Sequence, residues 1–435
     1  MKRSLRLLAG ASLFAALSVA PATGAEFQFT YGGQAHLSGY WIDQTELATD
    51  DLNNFGFAGE GRGWARVNWI ADDGMQYGAR AQLRAQSSEA EYSNDLIRGA
   101  PDFVDEIYAY VEFAFGRVTL GLDDGAADSA GIYSPSVSDI NRIDDVRHYP
   151  VQDPRQPSFT AFSPNGAHLR TDLNASGDAM KVTYYTPFII GIQLSASYTP
   201  ELTRGFDGFG DDDRDAQGNI WEVGLKYQGA LSGFDVGFYA GYVAGYNERE
   251  TVGLTLPVTA ARLADGVPIT FTSLAFTPDD LEEWGAGAQV AYEGFRIGGS
   301  YRLTNIAGGA GLADQAFAPT FSTGCSQIAG CVLPDQKTEI WGAGITYETG
   351  PWRFGAGYVT LEEELPPFID AATRRELTQD AEGWTGAVGY EVDENLSFVV
   401  GYQRYDYEGP TGGCVGVACD TLEADLAYFQ TSLTF

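Results

Sequence analysis

Two pairs of arginines recur at a spacing of four: Arg62 and Arg66 in "FAGEGRGWARVNWIA", then Arg80 and Arg84 in "MQYGARAQLRAQSS". In the second stretch Gln76, Arg80, Gln82, Arg84, Gln86 and Ser88 occupy even positions, whereas Met75, Tyr77, Ala79, Ala81 and Leu83 occupy odd ones. An extended strand sends alternate side chains to opposite faces, so one face is apolar and the other gathers arginine and glutamine. The turn "DDG" (72–74) joins the two stretches tightly. Their polar faces therefore adjoin, with Arg66 level with Arg80, and Arg62 and Arg84 further from the turn. Like charges this close repel, so the ladder calls for water, counterions or carboxylates. Its chemistry is electrostatic: rows of fixed charge filter and orient ions and dipolar solutes.

Candidate carboxylates lie nearby. Glu106 and Glu112 share the polar face of a strand over 103–115. Asp128, Asp139, Asp144 and Asp145 fall in the long connection 124–178, which opens just after Asp123. Loops beyond about 15 residues without structure of their own are usually functional. This one is rich in Ile, Tyr, Val and Pro, residues that can pack on a wall. The expectation is a transverse field, with arginines on the wall and aspartates on the loop.

Three further constellations carry less chemistry. Asp211, Asp213, Asp215, Asn219 and Glu222 sit at positions 1, 3, 5, 9 and 12 of a calcium-loop spacing. Position 6 is Ala216 rather than glycine, and Trp221 and Glu222 read as strand, which rules out an EF-hand. An acidic external loop taking up Ca²⁺ through Asp211, Asp213 and Asp215 is the remaining reading, and no cofactor is required. The cysteines form two close pairs, Cys325 with Cys331 and Cys414 with Cys419, read as local disulfides in an oxidising compartment. Of the histidines, His36 shares a face with Ser38 two residues on, the wrong arrangement for a base and nucleophile on adjoining strands. His148 and His168 belong to the long connection, among prolines.

The elements that must position these groups are strands. One rhythm repeats: ten to sixteen alternating residues, a tight turn, another such run, then a long polar loop. The runs are 27–42, 57–71, 75–88, 103–115, 117–123, 179–187, 192–200, 219–229, 234–247, 281–293, 295–305, 336–348, 351–363, 381–392, 396–408 and 421–435. Short turns alternate with long loops, so all the short turns lie on one rim, together with both termini. Trp41, Trp69, Trp221, Trp284, Trp341, Trp352 and Trp384 fall near strand ends on the apolar face, where membrane headgroups select aromatic girdles. These features predict an all-β, 16-stranded antiparallel transmembrane β-barrel, too wide for side chains to fill and so enclosing water. A soluble β-sandwich predicts neither the loop asymmetry nor the aromatic rims.

The start of the chain and its charge agree. Lys2, Arg3 and Arg6 precede the apolar run "LLAGASLFAALSVA" and then "PATGA", the pattern of a signal peptide over 1–25. The barrel then spans 26–435. No later apolar run approaches the ~20 residues of a membrane helix. A net charge of −33 argues against nucleic acid as a partner and for a mouth that favours cations.

Two segments resemble the Gram-negative porin family, closest to its alphaproteobacterial type. "DEIYAYVEFAFGRVTLGLDDGAAD" (105–128) looks like the family's strand pair leading into a constriction loop. "DAMKVTYYTPFIIGIQLSASYTP" (178–200) looks like the pair that follows it. The resemblance implies a homotrimer in the outer membrane, amid lipid and lipopolysaccharide, whose third external loop folds inward. It implies passive diffusion of small hydrophilic solutes, here with weak cation preference. A channel specific for a sugar or an anion is the nearest alternative. A barrel enzyme or an adhesin is more remote.

Overall fold

The same alternation that separates polar from apolar faces continues around a closed surface. The computed structural model describes residues 26–44, 54–86, 104–138, 140–144, 152–153, 156–160, 169–177, 179–201, 217–247, 252–254, 274–276, 280–305, 337–365, 377–408 and 422–435. The proposed signal peptide lies outside them. Sixteen strands form the barrel: β1 Glu26–Gln44, β2 Phe55–Ile70, β3 Gln76–Gln86, β4 Val104–Phe113, β5 Gly116–Asp123, β6 Ala179–Tyr185, β7 Ile192–Glu201 and β8 Gln217–Leu231, followed by β9 Phe234–Asn247, β10 Leu281–Tyr292, β11 Phe295–Thr304, β12 Thr338–Thr349, β13 Trp352–Leu365, β14 Leu377–Glu391, β15 Leu396–Glu408 and β16 Leu422–Thr434.

Each strand pairs antiparallel with its successor, and β16 pairs with β1 from Gln34 opposite Thr434 to Gln44 opposite Ala424. Reciprocal backbone bonds between Gly33 and Phe435, 2.8 and 2.9 Å, extend that seam to the last residue. The strand beginning at Leu377 starts four residues before its expected place. "LTQD" carries no apolar alternation, while backbone pairing with β13 continues through it.

The short turns explain how neighbouring strands reverse. Ile190–Gly191, Ser232–Gly233 and Glu293–Gly294 are each consecutive residues with positive φ, between 48° and 88°. That double left-handed bend is the one whose twist matches flanking strands. Glycine meets it freely at the second position. Ile190 does not: it is β-branched, has φ 55° and is 92% exposed, so it gains no packing in return.

Outward positions are large and apolar. Leu120, Trp284 and Phe429 keep about half or more of their surface uncovered, the face that hydrocarbon must cover. Aromatic neighbours pair across strands there, as in Tyr242 with Trp284 and Tyr358 with Trp384, both with ring centres 4.2 Å apart. The inner wall is not uniformly polar. On β12–β16 and β1 it carries an apolar patch, where Tyr40, Ile340, Leu361, Tyr405 and Leu426 are buried with Val137, Ile143 and Leu169 of the connection between β5 and β6. Burying such a side chain is worth about 1.5–3 kcal/mol, which holds the connection to that side of the cylinder.

Replacing Ile190 by asparagine, which tolerates the left-handed region, relieves steric cost of about 1 kcal/mol. Thermal unfolding in detergent micelles should show a raised midpoint for Ile190→Asn; an unchanged or lowered one means the turn is not strained.

Candidate pore-lining site

Strands β2, β3 and β4 bring the arginine ladder together in one register. Arg66 stands opposite Arg80, and Arg62 opposite Arg84. Each rung is a pair of like charges directly across the sheet, an arrangement that destabilises unless compensated. Compensation comes from the same wall. Arg62 Nε lies 2.5 Å from Glu60 Oε1, and Arg84 Nη2 donates to Glu60 Oε2 at 3.2 Å. Arg84 Nη1 is also 3.6 Å from Asp105 Oδ1. Arg80 Nε lies 3.2 Å from Glu106 Oε2, while its Nη2 donates to Gln82 Oε1 at 2.6 Å. Gln82 in turn donates to Asp105 and Glu106 at 2.5 and 3.1 Å. Arg66 differs: its Nε donates to the Tyr110 hydroxyl at 2.8 Å, with the guanidinium carbon 4.7 Å from that ring's centre. The Arg62 and Arg80 side chains keep 26% and 31% exposure, so water reaches the ladder.

Two of these carboxylates were not singled out from sequence. Glu60 lies on the even, inward parity of β2, so alternation alone carried that signal. Asp105 lies on the outward parity of β4. It turns to the arginines because the β3–β4 register slips there: Gln82 faces Glu106 while Leu83 faces Val104, leaving Asp105 as the extra residue. Such bulges re-aim a side chain, and no alternation pattern announces them. Glu106 joins the ladder as expected from its face. Glu112 does not: it pairs in register with Arg117 near the β4–β5 turn, roughly 20 Å further down the strand at its rise per residue.

The connection between β5 and β6 is fixed at two places. At its neck a short helix, α1 (Ala126–Ser129), follows Gly125. The buried carboxylate of Glu222 on β8 accepts the Ala127 backbone N–H at 3.1 Å and the Ser176 hydroxyl. A side chain at position 125 would fall on that carboxylate, which would have to shift. Lys181 on β6, also buried, donates to the carbonyls of Asp123, Ser176 and Ala179. Departing and returning segments are thus tied to the same two inward residues. At the far side Asn141 is the fastener. It accepts from the Tyr40 hydroxyl at 2.6 Å, donates to Ser38 and Gln430 at 3.1 and 2.8 Å, and its carbonyl accepts from Gln403 at 2.9 Å.

The loop carboxylates are less available than their sequence positions imply. Asp144 is buried and takes a bidentate bond from Arg142, both distances 3.0 Å, so its charge is matched inside the loop. Asp128 accepts the Tyr133 hydroxyl at 2.5 Å. Burial pushes its carboxyl up to about 8; Asp124 and Asp172 add to the rise, while the Tyr133 bond and Arg170 oppose it. Asp139 and Asp145 lie outside the described residues, as do Asp211, Asp213 and Asp215 and all four cysteines, Cys325, Cys331, Cys414 and Cys419. His36 is buried on the inner face, its Nδ1 2.8 Å from Ser432 Oγ on β16 rather than engaged with Ser38.

A family model described as Gram-negative porin matches residues 8–410. No curated protein matches the chain. Among solved structures it is similar to the in-vitro folded outer membrane protein OmpT of Vibrio cholerae, at 12% identity and TM-score 0.54, covering 96% of this chain and 100% of that one. It is similar to the outer membrane channel DcaP of Acinetobacter baumannii, at 9% identity and TM-score 0.54, covering 95% and 99%. An anion-selective porin from Comamonas acidovorans matches at 13% identity and TM-score 0.51, covering 94% and 100%. At these identities the structural likeness speaks to the fold.

Asn141→Ala strands several buried partners of the loop, each left-over group costing about 1–3 kcal/mol. A clear fall in the unfolding midpoint is expected in detergent. An unaltered midpoint would show that the loop is held without Asn141.

Proposed function

The chain belongs to the Gram-negative porin family, and on that premise we propose that the wall of β2–β4 is the selective face of its pore. The protein is a β-barrel of the bacterial outer membrane through which small hydrophilic solutes diffuse passively. Family and fold are those of a channel rather than an enzyme. The observation that carries the finer reading is the distribution of polarity inside. Among the described residues, apolar packing ties the loop to β12–β16 and β1, while Arg62 and Arg80 on β2 and β3 keep 26% and 31% of their side-chain surface exposed. Solutes are therefore proposed to pass between the loop and the ladder, with residues 1–25 serving as the export leader.

The selectivity reading is weak preference for cations. Four arginines on the wall are largely matched by Glu60, Asp105 and Glu106, so the local field is that of paired charges with a small positive remainder. The whole chain carries −33, which biases both mouths toward cations at low salt.

A homotrimer is proposed on a length argument. Strands β5 and β6 have 8 and 7 residues, whereas a tilted strand needs about 9–11 to cross hydrocarbon. Leu120 and Val182 on them are exposed at 60% and 42%, so this stretch of wall is better covered by neighbouring protomers than by lipid.

Reversal potentials in planar bilayers test the wall. Cation preference should be measurable at low salt and fade as the Debye length falls from about 30 Å to about 3 Å. Replacing Arg80 and Arg84 by glutamine should increase it, and no change would remove the ladder from the narrow passage. A pH series tests Asp128. With burial pushing its carboxyl up to about 8, ionisation above that value would add negative charge to the loop. Cation preference should therefore step upward between pH 7 and 9, on the scale of one ionising group. Asp128→Asn should flatten the step; a step of equal size in the variant would assign it elsewhere.

A further inference from the structure

The four wall arginines are chemically unequal, and the inequality defines a binding site. Glu60 is shared by Arg62 and Arg84, Asp105 also approaches Arg84, and Glu106 is taken by Arg80. Among the described residues Arg66 has no carboxylate partner. The positive charge of Arg66 is therefore the one on this wall that no described carboxylate meets.

Arg66 is also held still. A directed chain of hydrogen bonds runs from its Nε to the Tyr110 hydroxyl at 2.8 Å, from that hydroxyl to Asn68 Oδ1 at 2.9 Å, and from Asn68 Nδ2 to Gln76 Oε1 at 3.0 Å. With Nε committed and one face lying on the Tyr110 ring, the two terminal amino groups remain as a planar pair of donors. That fork matches the two oxygens of a carboxylate. Its surroundings select further. Trp64, whose ring also lies beneath Arg80 at 5.6 Å, precedes Arg66 by two residues on the same inward face of β2, and Tyr110 stands across on β4. These rings place aromatic surface beside the fork, which favours an organic acid over an inorganic anion of equal charge. A multiply charged anion meets the nearby carboxylates of Glu60 and Glu106, whereas a monoanion matches the single uncompensated charge.

We infer that Arg66, oriented by Tyr110, is a seat for one small organic monocarboxylate, aromatic acids above all, on the solute path. The seat rests on the reading of this wall as the pore's selective face, and it adds a bound class of solute to a channel that otherwise discriminates by size and net charge. It releases its occupant readily, because Arg80 and its carboxylates stand directly beside it and solvent has access.

The test uses the full mature chain in planar bilayers, with benzoate as probe and benzamide as the uncharged molecule of the same shape. Benzoate should reduce single-channel potassium chloride conductance saturably, and benzamide should not. In Arg66→Gln the half-effective benzoate concentration should rise about tenfold, the loss of a charge-assisted bond. Arg66→Lys, which keeps the charge without the fork, should fall between the two. Tyr110→Phe should weaken block while leaving benzamide inert. Arg62→Gln, whose charge Glu60 already matches, should shift block less than Arg66→Gln. Equal block by benzamide, or unchanged benzoate block in Arg66→Gln and Arg66→Lys, overturns the seat. If that happens while Arg80→Gln and Arg84→Gln still alter reversal potentials, only the seat is lost and the selective wall stands. If no variant at any of the four arginines alters block or reversal potential, the wall assignment falls with it.

Discussion

A backbone amide in hydrocarbon has no water to bond, and leaving it unpaired costs several kcal/mol. Every other feature of this molecule follows from meeting that demand with strands. Closure between β16 and β1, extended by the bonds between Gly33 and Phe435, removes the last open edge. Once the cylinder is sealed, each strand has one face in lipid and one inside. The period of two in the sequence then becomes a spatial division: Leu120, Trp284 and Phe429 outside, Arg62, Arg80 and Glu106 inside. Tight turns on one rim follow as well, because neighbouring antiparallel strands need only two bending residues.

A cylinder of this width would be an open tube without something to narrow it. Described residues of the connection between β5 and β6 pack on the inner wall by ordinary core physics. Val137, Ile143 and Leu169 are buried against the apolar side chains of β12–β16 and β1. Polar fasteners then fix the register: Asn141 at the far side, Glu222 and Lys181 at the neck. The two halves of the interior consequently have different tasks. One is a packed interface, and the other remains wet and charged.

On the wet half, the ladder exists as a set of ion pairs. Repulsion within the rungs Arg66–Arg80 and Arg62–Arg84 is relieved by carboxylates a few ångströms away on the same strands. The field of the ladder is thus short-ranged and patterned along the wall, with aromatic rings beneath Arg66 and Arg80. Asp144, expected to face the ladder across the passage, is paired with Arg142 in its own loop. Among the described residues, the carboxylates that meet the ladder stand on β2 and β4.

Much of this was legible in the residue order. Alternation, turn residues and loop lengths specify sixteen strands, their faces and the rung partners, because a period of two maps each side chain to one side of a surface without knowledge of the rest. The same parity points Glu60 and Glu106 inward. Tertiary structure alone decided what depends on contacts between segments remote in sequence. It placed Asn141 among Ser38, Gln403 and Gln430, and it joined Glu222 to the loop neck, whereas its sequence neighbours suggested a calcium spacing. It also turned Asp105 toward the arginines through a slip of one residue between β3 and β4. Local pattern sets the face on which a side chain emerges; which partner it meets there is set by register and by the path of a loop, and those are fixed only when the whole cylinder closes.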